Sequence, residues 1–357
     1  MPYTVQELAN IANSTLDWYM EKGNVLAQNI QDKPLARIFD GASKMFPGGK
    51  GNVSLGVKQG QGGGTLSGYT HDDQVSYYNP ASNKRVAFPW KEHHIGMGIT
   101  HTELKTDGIT VTENGSDQST SQKDGREQFA LANLLEEKND EFAEDYAFSF
   151  NRLLHGDGSS DAKALAGIRS LLLDAPATGT TGGLSRVSNT WWRNRARTSA
   201  NSNVITSSVA NGGELLQTLQ YEKRQLRRYA KGGTRHRCIA GSDFIDALER
   251  EMRANGKYSE TGFRNREQMN GALATDDGVP FGNWDIVYDP TLDDLSRQKY
   301  MYVIDTKRIR LLYMQGEKMK KVNPARPYDR YVMYQGLTTT ALMVAQQLNT
   351  SGIYQIS

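Results

Sequence analysis

The sequence predicts an α+β fold with long extended parts, and three observations carry that expectation. Residues 126–155 read as one amphipathic helix, ~45 Å long at 1.5 Å rise per residue. Glycine is in excess: there are 35 in 357 residues, where average usage gives about 25. The surplus gathers at 48–68, 179–183 and 212–213. Beyond residue 160, helix and strand signals alternate around turn residues. Glycine loses more conformational entropy on ordering than any other residue. Long Gly-rich segments therefore suit a subunit whose neighbour orders them better than a self-sufficient monomer.

From the N-terminus, residues 4–46 read as helical with one break. Thr4 is placed to cap, with Glu7 at capping-box spacing. Leu8, Ile11, Ala12, Thr15 and Tyr19 share one helical face. Gly23-Asn24 interrupts the pattern, Pro34 stands near the start of a second helix, and Phe46-Pro47-Gly48-Gly49 ends it. Alone, such an arm is marginal. Residues 50–92 have weak local order, with a hinge from Gly60 to Gly64. Val75-Ser76-Tyr77-Tyr78 and Arg85-Val86-Ala87-Phe88 are expected to pair as a hairpin around 79–83. Its apolar content is too low for a core, so it is expected to lie across a neighbouring subunit. Burial against its own chain would contradict that. Ile95, Met97 and Ile99 then alternate with Gly96, Gly98 and Thr100, and 109–112 follows as a strand after Asp107-Gly108.

The long helix opens at Asp124, with Glu127 three residues on. Leu131, Leu134, Leu135, Phe142, Tyr146, Phe150, Leu153 and Leu154 form its apolar stripe, expected to bury against strands within 300–334. Glu136, Glu137, Asp140, Glu141, Glu144 and Asp145 form its wet side, and Gly156 and Gly158 end it. Helices are expected at 161–173, 212–231 and 242–255, and strands at 235–240, 284–288, 300–305 and 308–314. Thr234 to Ala240 followed by Gly241-Ser242-Asp243-Phe244 reads as a strand feeding a capped helix. The end, 328–357, reads as short strands at 331–334 and 342–344 separated by turns. No internal repeat is visible.

Composition removes several function classes. The single cysteine, Cys238, excludes an intramolecular disulfide framework and a Cys-rich zinc site, and suits a reducing cytoplasm. No signal peptide is expected, and no run approaches the ~18 apolar residues of a membrane span. A net charge of +2 gives no global pull toward nucleic acid or membrane. His93 and His94 fall on opposite faces of a strand, and His93 and His101 lie ~26 Å apart if extended, so no metal is expected there. Gly48-Gly49-Lys50-Gly51 lacks the Ser or Thr and the preceding strand of a phosphate loop. There is no nucleophile elbow, zinc-protease helix or dinucleotide fingerprint. The carboxylates of the long helix share a wet face with Lys138. No catalytic residue, cofactor or metal ligand is therefore assigned.

One segment is strongly biased. Residues 193–237 hold ten Lys and Arg against Glu214 and Glu222, a net of +8, which leaves −6 for the rest of the +2 chain. On the 212–231 helix, Leu215, Leu219, Leu226 and Tyr229 fall on one side and Lys223, Arg224, Arg227, Arg228 and Lys231 opposite. With Arg193, Arg195 and Arg197 these are candidates for contact with DNA or with acidic surfaces of neighbouring subunits; a solvated face is the plainer alternative. Tyr77 and Tyr78 are further interaction candidates. Trp191-Trp192 reads as a loop anchor, one ring in the core and one half exposed.

After the long helix come Gly167-Ile168, then Gly182-Gly183-Leu184, then Trp192-Arg193-Asn194, and later Tyr302-Val303-Ile304-Asp305-Thr306-Lys307-Arg308-Ile309-Arg310-Leu311. This order resembles the major capsid proteins of tailed bacteriophages, which share the Hong Kong 97-type fold. The resemblance implies an N-terminal arm at 1–48, an E-loop at 49–92 and a peripheral domain beginning at 93–160 with a spine helix at 124–155. It implies an axial domain at 161–299, more peripheral strands at 300–335, and C-terminal strands at 336–357 returning to the axial domain. The implied product is an icosahedral shell of hexamers and pentamers around double-stranded DNA, located in the virion and assembled in the host cytoplasm. Its implied partners are a portal protein, a separate scaffolding protein, since the arm is short, and a decoration protein; no membrane is implied. Lys50, Lys58 and Lys84 lie in the E-loop, but no matched Asn or catalytic Glu accompanies them, so cross-linking is not assigned. Two other readings compete: an α/β enzyme with a dispersed site, which needs a pocket of convergent polar groups, and a nucleic-acid module on 193–237, which needs salt-sensitive binding by the monomer.

Overall fold

A computed structural model describes residues 3–4, 32–48, 51–60, 64–75, 77–79, 83–106, 111–112, 125–209, 213–230, 233–254, 279–282, 284–322 and 332–357. In chain order the elements are β1 (Tyr3–Thr4), α1 (Pro34–Asp40), β2 (Lys44–Phe46), β3 (Asn52–Lys58), β4 (Asn83–Pro89) and β5 (Lys91–Thr100). Then come α2 (His101–Thr106), β6 (Val111–Thr112), α3 (Gly125–His155), α4 (Ile168–Leu171), β7 (Thr180–Thr181), β8 (Leu184–Ser185) and β9 (Arg195–Arg197). The remainder is α5 (Glu214–Arg228), β10 (His236–Ala240), α6 (Ser242–Ala254), β11 (Val279–Phe281), β12 (Trp284–Tyr288), α7 (Pro290–Asp294), β13 (Tyr300–Asp305), β14 (Ile309–Met314), β15 (Lys320–Val322), β16 (Val332–Ala345) and β17 (Gly352–Gln355). They form two units: Met1–Asp32, Glu92–Arg152 and Gly316–Thr340 make one, and Lys33–Lys91, Leu153–Gln315 and Ala341–Ser357 the other.

The first unit is a helix on a sheet. β5 pairs with β16, and β15 pairs antiparallel with β16 from Lys320↔Thr338 to Val322↔Gly336. β1 and β6 pair in parallel. The side chains of β5 alternate between half-buried and exposed, with Ile99 fully buried, as the Ile95, Met97, Ile99 pattern requires. Phe142 of α3 packs with Leu337, Ile95 and Met97. One turn on, the Tyr146 hydroxyl meets Thr339 Oγ1 at 2.8 Å, and the Tyr146 ring stacks on Phe150. Glu141 and Asp145 face solvent.

The second unit is built on a six-stranded sheet of order β11-β12-β10-β13-β17-β9. β10 and β12 run parallel, while β10–β13 and β13–β17 are antiparallel. α5 and α6 cover one face: Leu215, Leu219, Leu226, Phe244 and Leu248 pack with Cys238, Ala240, Trp284, Ile286, Met301, Val303 and Tyr354. The period-2 alternation along β10 and β13 also buries Ile239, Tyr302 and Ile304 on the other face. Their helix N-termini are capped from elsewhere in the chain. Buried Glu251 of α6 accepts hydrogen bonds from the Leu215 (3.3 Å) and Leu216 (3.1 Å) N–H groups at the head of α5, and from the Ser208 N–H (2.8 Å) in the loop before it. Asp293 Oδ1 accepts from Ser242 N at the head of α6. A carboxylate at that end also meets the positive pole of the helix dipole.

Several expectations need correction. The helix starting at Pro34 ends at Asp40, and Lys44–Phe46 is a strand pairing with β14. The expected helical break at Gly23-Asn24 lies outside the described residues. The 85–88 strand exists, but its partner is β3, from Asn52↔Pro89 to Lys58↔Asn83, and not 75–78. Residues after Thr100 turn into a short helix. The expected helix at 161–173 shrinks to Ile168–Leu171. The described contacts of the α3 stripe fall on β5 and on Leu337 and Thr339 of β16, a strand that begins within the expected 300–334 and runs beyond it. β16 is one strand where two short ones were expected. The stretch 300–335 is divided: β13 and β14 belong to the second unit and β15 to the first. Tyr229 is 51% exposed, and so does not complete the apolar side of α5.

Candidate functional site

The hairpin β3–β4 does not hang free. Val53, Val57, Val86 and Phe88 bury one of its faces. The Ala87 N–H donates to the Gly182 carbonyl (3.0 Å), and the Lys84 ammonium donates to Asn189 Oδ1 (2.6 Å). At Gly182 (φ +60°) a Cβ would meet Val86 Cβ at 2.9 Å and Phe88 at 3.1 Å, so the hairpin sits where that side chain is missing. The expectation that the hairpin is unsupported by its own chain therefore fails for its strands. In the connection between them Leu66, Tyr69, Val75, Tyr77 and Tyr78 are exposed.

The loop 171–195 is fastened from inside. Arg186 is fully buried, and among the described residues no carboxylate pairs with it. It donates through Nε to Thr181 Oγ1 (2.8 Å), through Nη1 to Asn194 Oδ1 (2.6 Å) and through Nη2 to the Leu171 carbonyl (2.5 Å). Burial, with Arg193 adding to it, pulls its pKa down to about 10. Asn194 also brackets Leu173, accepting from its N–H (3.1 Å) and donating to its carbonyl (3.0 Å). Trp192 is buried and donates to the Thr181 carbonyl (3.2 Å), with half-buried Trp191 edge-on to it, so the pair anchors the loop as expected. Gly167 explains itself similarly: a Cβ there would meet the Leu153 carbonyl oxygen at 2.5 Å, at the end of α3. Arg186 was not singled out by sequence, because nothing local distinguishes a buried Arg from a solvated one.

The basic segment divides. Arg193 donates to the Arg186 (2.7 Å) and Val187 (3.1 Å) carbonyls. Arg195 and Arg197 converge on Glu222, which is 1% exposed: Arg195 Nη2 to Oε1 is 2.9 Å and Arg197 Nε to Oε1 is 2.8 Å. Burial works against the Glu222 charge, but hydrogen bonds from both guanidiniums outweigh it and hold the carboxyl below its usual range. Lys223 folds back, donating to the Phe281 carbonyl (3.2 Å) with its ammonium 5.5 Å from the Phe281 and Trp284 ring centres. Burial, then Arg227, lowers its pKa. Arg224, Arg227 and Arg228 remain exposed, and enter no ion pair among the described residues. Lys231 lies outside them. What this surface can do chemically is hold anions, with three guanidiniums at i, i+3 and i+4 on one helix face.

His236 lies under the same helix. Trp284 Nε1–H donates to its Nδ1 (3.3 Å), and its Nε2–H donates to the Thr350 carbonyl (3.0 Å). That pair of bonds requires the neutral ring. Burial, the largest effect, lowers its pKa below the ordinary 6.5; Arg227 and Lys223 push the same way, and the Thr350 carbonyl and Asp305 oppose. The unfolded chain therefore takes up a proton near pH 6.5, before the folded one does. The stabilisation is complete above about 6.5 and is lost as pH falls toward the folded value. Melting temperature is expected to drop on acidification through that window, and His236→Gln should flatten the slope. An unchanged slope in the variant would assign the acid sensitivity elsewhere.

Among the described residues no group of three His, Cys, Asp or Glu could hold a metal, and no helix is long and apolar enough to cross a membrane. No protein-family model and no curated relative matches the sequence. Solved structures do match in fold. The cyanophage A-1(L) capsid asymmetric unit aligns over 92% of this chain and 93% of its own, with TM-score 0.62 and 13% identity. The capsid of Myoviridae phage XM1 aligns over 89% and 90%, with TM-score 0.52 and 11% identity. A structure from Mycobacterium phage Bobi aligns over 90% of each chain, with TM-score 0.50 and 12% identity. The chain has the mixed helix-and-sheet fold of these structures along nearly its whole length.

Proposed function

We propose that this chain is the major capsid protein of a tailed bacteriophage, a structural subunit that assembles with copies of itself into an icosahedral head around double-stranded DNA. The observation that supports the reading best is the end-to-end match to the cyanophage A-1(L) capsid structure, which covers 92% of this chain and 93% of the other. In this reading the residues before α1 are the arm, β3–β4 with its connection is the E-loop, α3 is the spine helix of a peripheral domain, and the six-stranded sheet with α5 and α6 is the axial domain. The subunit occurs as hexamers and pentamers in the virion and is assembled in the host cytoplasm. Its further partners are a portal, a separate scaffolding protein, a decoration protein and the packaged DNA. It is not an enzyme.

The assembly role falls on exposed groups, because Arg193, Arg195, Arg197 and Lys223 are engaged inside the subunit. Reversing Arg224, Arg227 and Arg228 together to Glu should leave the circular dichroism spectrum intact, since Leu215, Leu219 and Leu226 on the opposite side are untouched. Assembly, read by sedimentation, should fail or become strongly salt-dependent. An exposed ion pair is worth only about 0–1 kcal/mol, but a symmetric shell repeats it many times. Wild-type oligomers at about 0.5 M salt should show part of the same loss. A triple variant that assembles normally at low and high salt would reduce this face to a solvated one.

A further inference from the structure

We infer that the outer surface of α5 and of the segment after it binds unpaired nucleic acid, with phosphates on Arg224, Arg227 and Arg228 and bases stacked on Tyr221 and Tyr229. This ligand is distinct from the packaged duplex, and the surface exists in the single subunit whether or not shells form. Tyr229, which the helical spacing assigns to the apolar side, is 51% exposed, and Tyr221, next to buried Glu222, is 42% exposed. Each ring lies beside a guanidinium. Arg197 Cζ is 5.7 Å from the Tyr221 ring centre, and Arg228 Cζ is 5.6 Å from that of Tyr229. Aromatic and cationic side chains therefore alternate along one exposed stretch: Tyr221, Arg224, Arg227, Arg228, Tyr229.

Charge selects a polyanion. Residues 223–237 contain seven Lys and Arg and no Asp or Glu. The carboxylates of α5 itself lie off this stretch. Glu222 is turned inward to Arg195 and Arg197, and exposed Glu214 stands ~15 Å along the axis before Arg224. The cations continue past the helix. Arg235 is exposed, and a Cβ on Gly233 would lie 3.5 Å from Lys307 Nζ, which brings exposed Lys307 alongside. A strip of this kind tracks a phosphate backbone, and guanidiniums both take phosphate oxygens in pairs and stack on planar rings. Stacking then decides between single strand and duplex. An unpaired base of any type offers a π face, while in a duplex those faces are covered by neighbouring bases. A duplex would use the three arginines and leave both tyrosines idle. An acidic protein segment would also meet the charges, but its backbone carries no recurring planar group for the rings. Along the axis the two rings stand ~12 Å apart, the reach of a few stacked nucleotides.

Fluorescence anisotropy of the full-length protein tests this, with labelled oligo-dT and oligo-rU of about 12 nucleotides and a duplex of the same length. Single strands should bind about ten-fold more tightly than the duplex. Tyr221→Leu with Tyr229→Leu should weaken single-strand binding about ten-fold at an unchanged salt slope, while Tyr221→Phe with Tyr229→Phe should keep it. Arg224→Gln, Arg227→Gln and Arg228→Gln together should weaken both ligands and reduce the slope of log K against log salt by about 2, the value for three phosphate contacts on a single strand. An unchanged dichroism spectrum establishes that each variant is folded. Either oligomer behaving in this way supports the inference, and the ratio of the two tells RNA from DNA. Equal affinity for single strand and duplex, or wild-type affinity in the leucine pair, would overturn it and leave an electrostatic face alone. Absence of salt-sensitive binding would overturn it as well and give the face to protein contacts. A wild-type protein that binds the strand but forms no shell would remove the proposed function and leave this surface as described.

Discussion

Phe142→Ala and Phe150→Ala should each destabilise the subunit by about 3–5 kcal/mol, the range for deleting a buried phenyl ring with partial collapse of the cavity. Both rings are buried on α3. Phe142 packs with Leu337, Ile95 and Met97, so its loss opens a void between the helix and the sheet. Phe150 stacks on Tyr146, whose hydroxyl meets Thr339, so its loss also frees the group that fixes the helix above β16. A 31-residue helix with acidic residues along its wet side does not stay straight in water on propensity alone; this stripe holds it. Urea denaturation followed at the helical dichroism band measures the effect. A loss under about 1 kcal/mol at both sites would mean the stripe is not core.

Glu222→Gln should cost about 2–3 kcal/mol, the scale of hydrogen bonds to a buried charged group. Glu222 is 1% exposed and answers two guanidiniums whose side chains are 34% and 26% exposed. With its oxygen in the Oε1 place the amide still accepts from Arg195 Nη2 and Arg197 Nε, but it turns an N–H₂ toward the Nε–H of Arg195, a donor facing a donor. Full removal of a buried partner runs higher, but here both arginines retain a path to water, which keeps the loss at the lower figure. The defect should also be insensitive to salt, because buried pairs are screened little. That separates it from the triple reversal on the outer face of the same helix, where salt matters. Thermal melts at two ionic strengths check both statements. A salt-dependent Glu222→Gln defect would place the network at the surface.

Periodicity made the local elements legible and left the long-range contacts hidden. The long helix, the strands at 236–240, 284–288, 300–305 and 309–314, and helix α5 all show in apolar spacing, because each buries a regular face. β3 was missed because Val53-Ser54-Leu55-Gly56-Val57 is embedded among glycines that look like loop, although Val53 and Val57 are buried on one face. β16 was split because Gly336 and Thr338-Thr339-Thr340 resemble a turn; threonine is β-branched and pairs well in a strand. Charge was the weakest guide. The count of +8 in 193–237 is correct, yet Arg195, Arg197 and Lys223 are engaged by Glu222 and by Phe281 and Trp284, far along the chain or in another element. The caps on α5 and α6 come from Glu251 and Asp293 for the same reason, and no local motif encodes them.

The central claim is that this chain builds a shell. Negative-stain electron microscopy of the concentrated full-length protein tests it most directly. The account predicts closed shells, or the hexamers and pentamers from which they form, in the wild type, and their loss in the Arg224→Glu, Arg227→Glu, Arg228→Glu variant. A folded protein that stays a single monodisperse monomer at every concentration, with no ring or shell in the field, would contradict it.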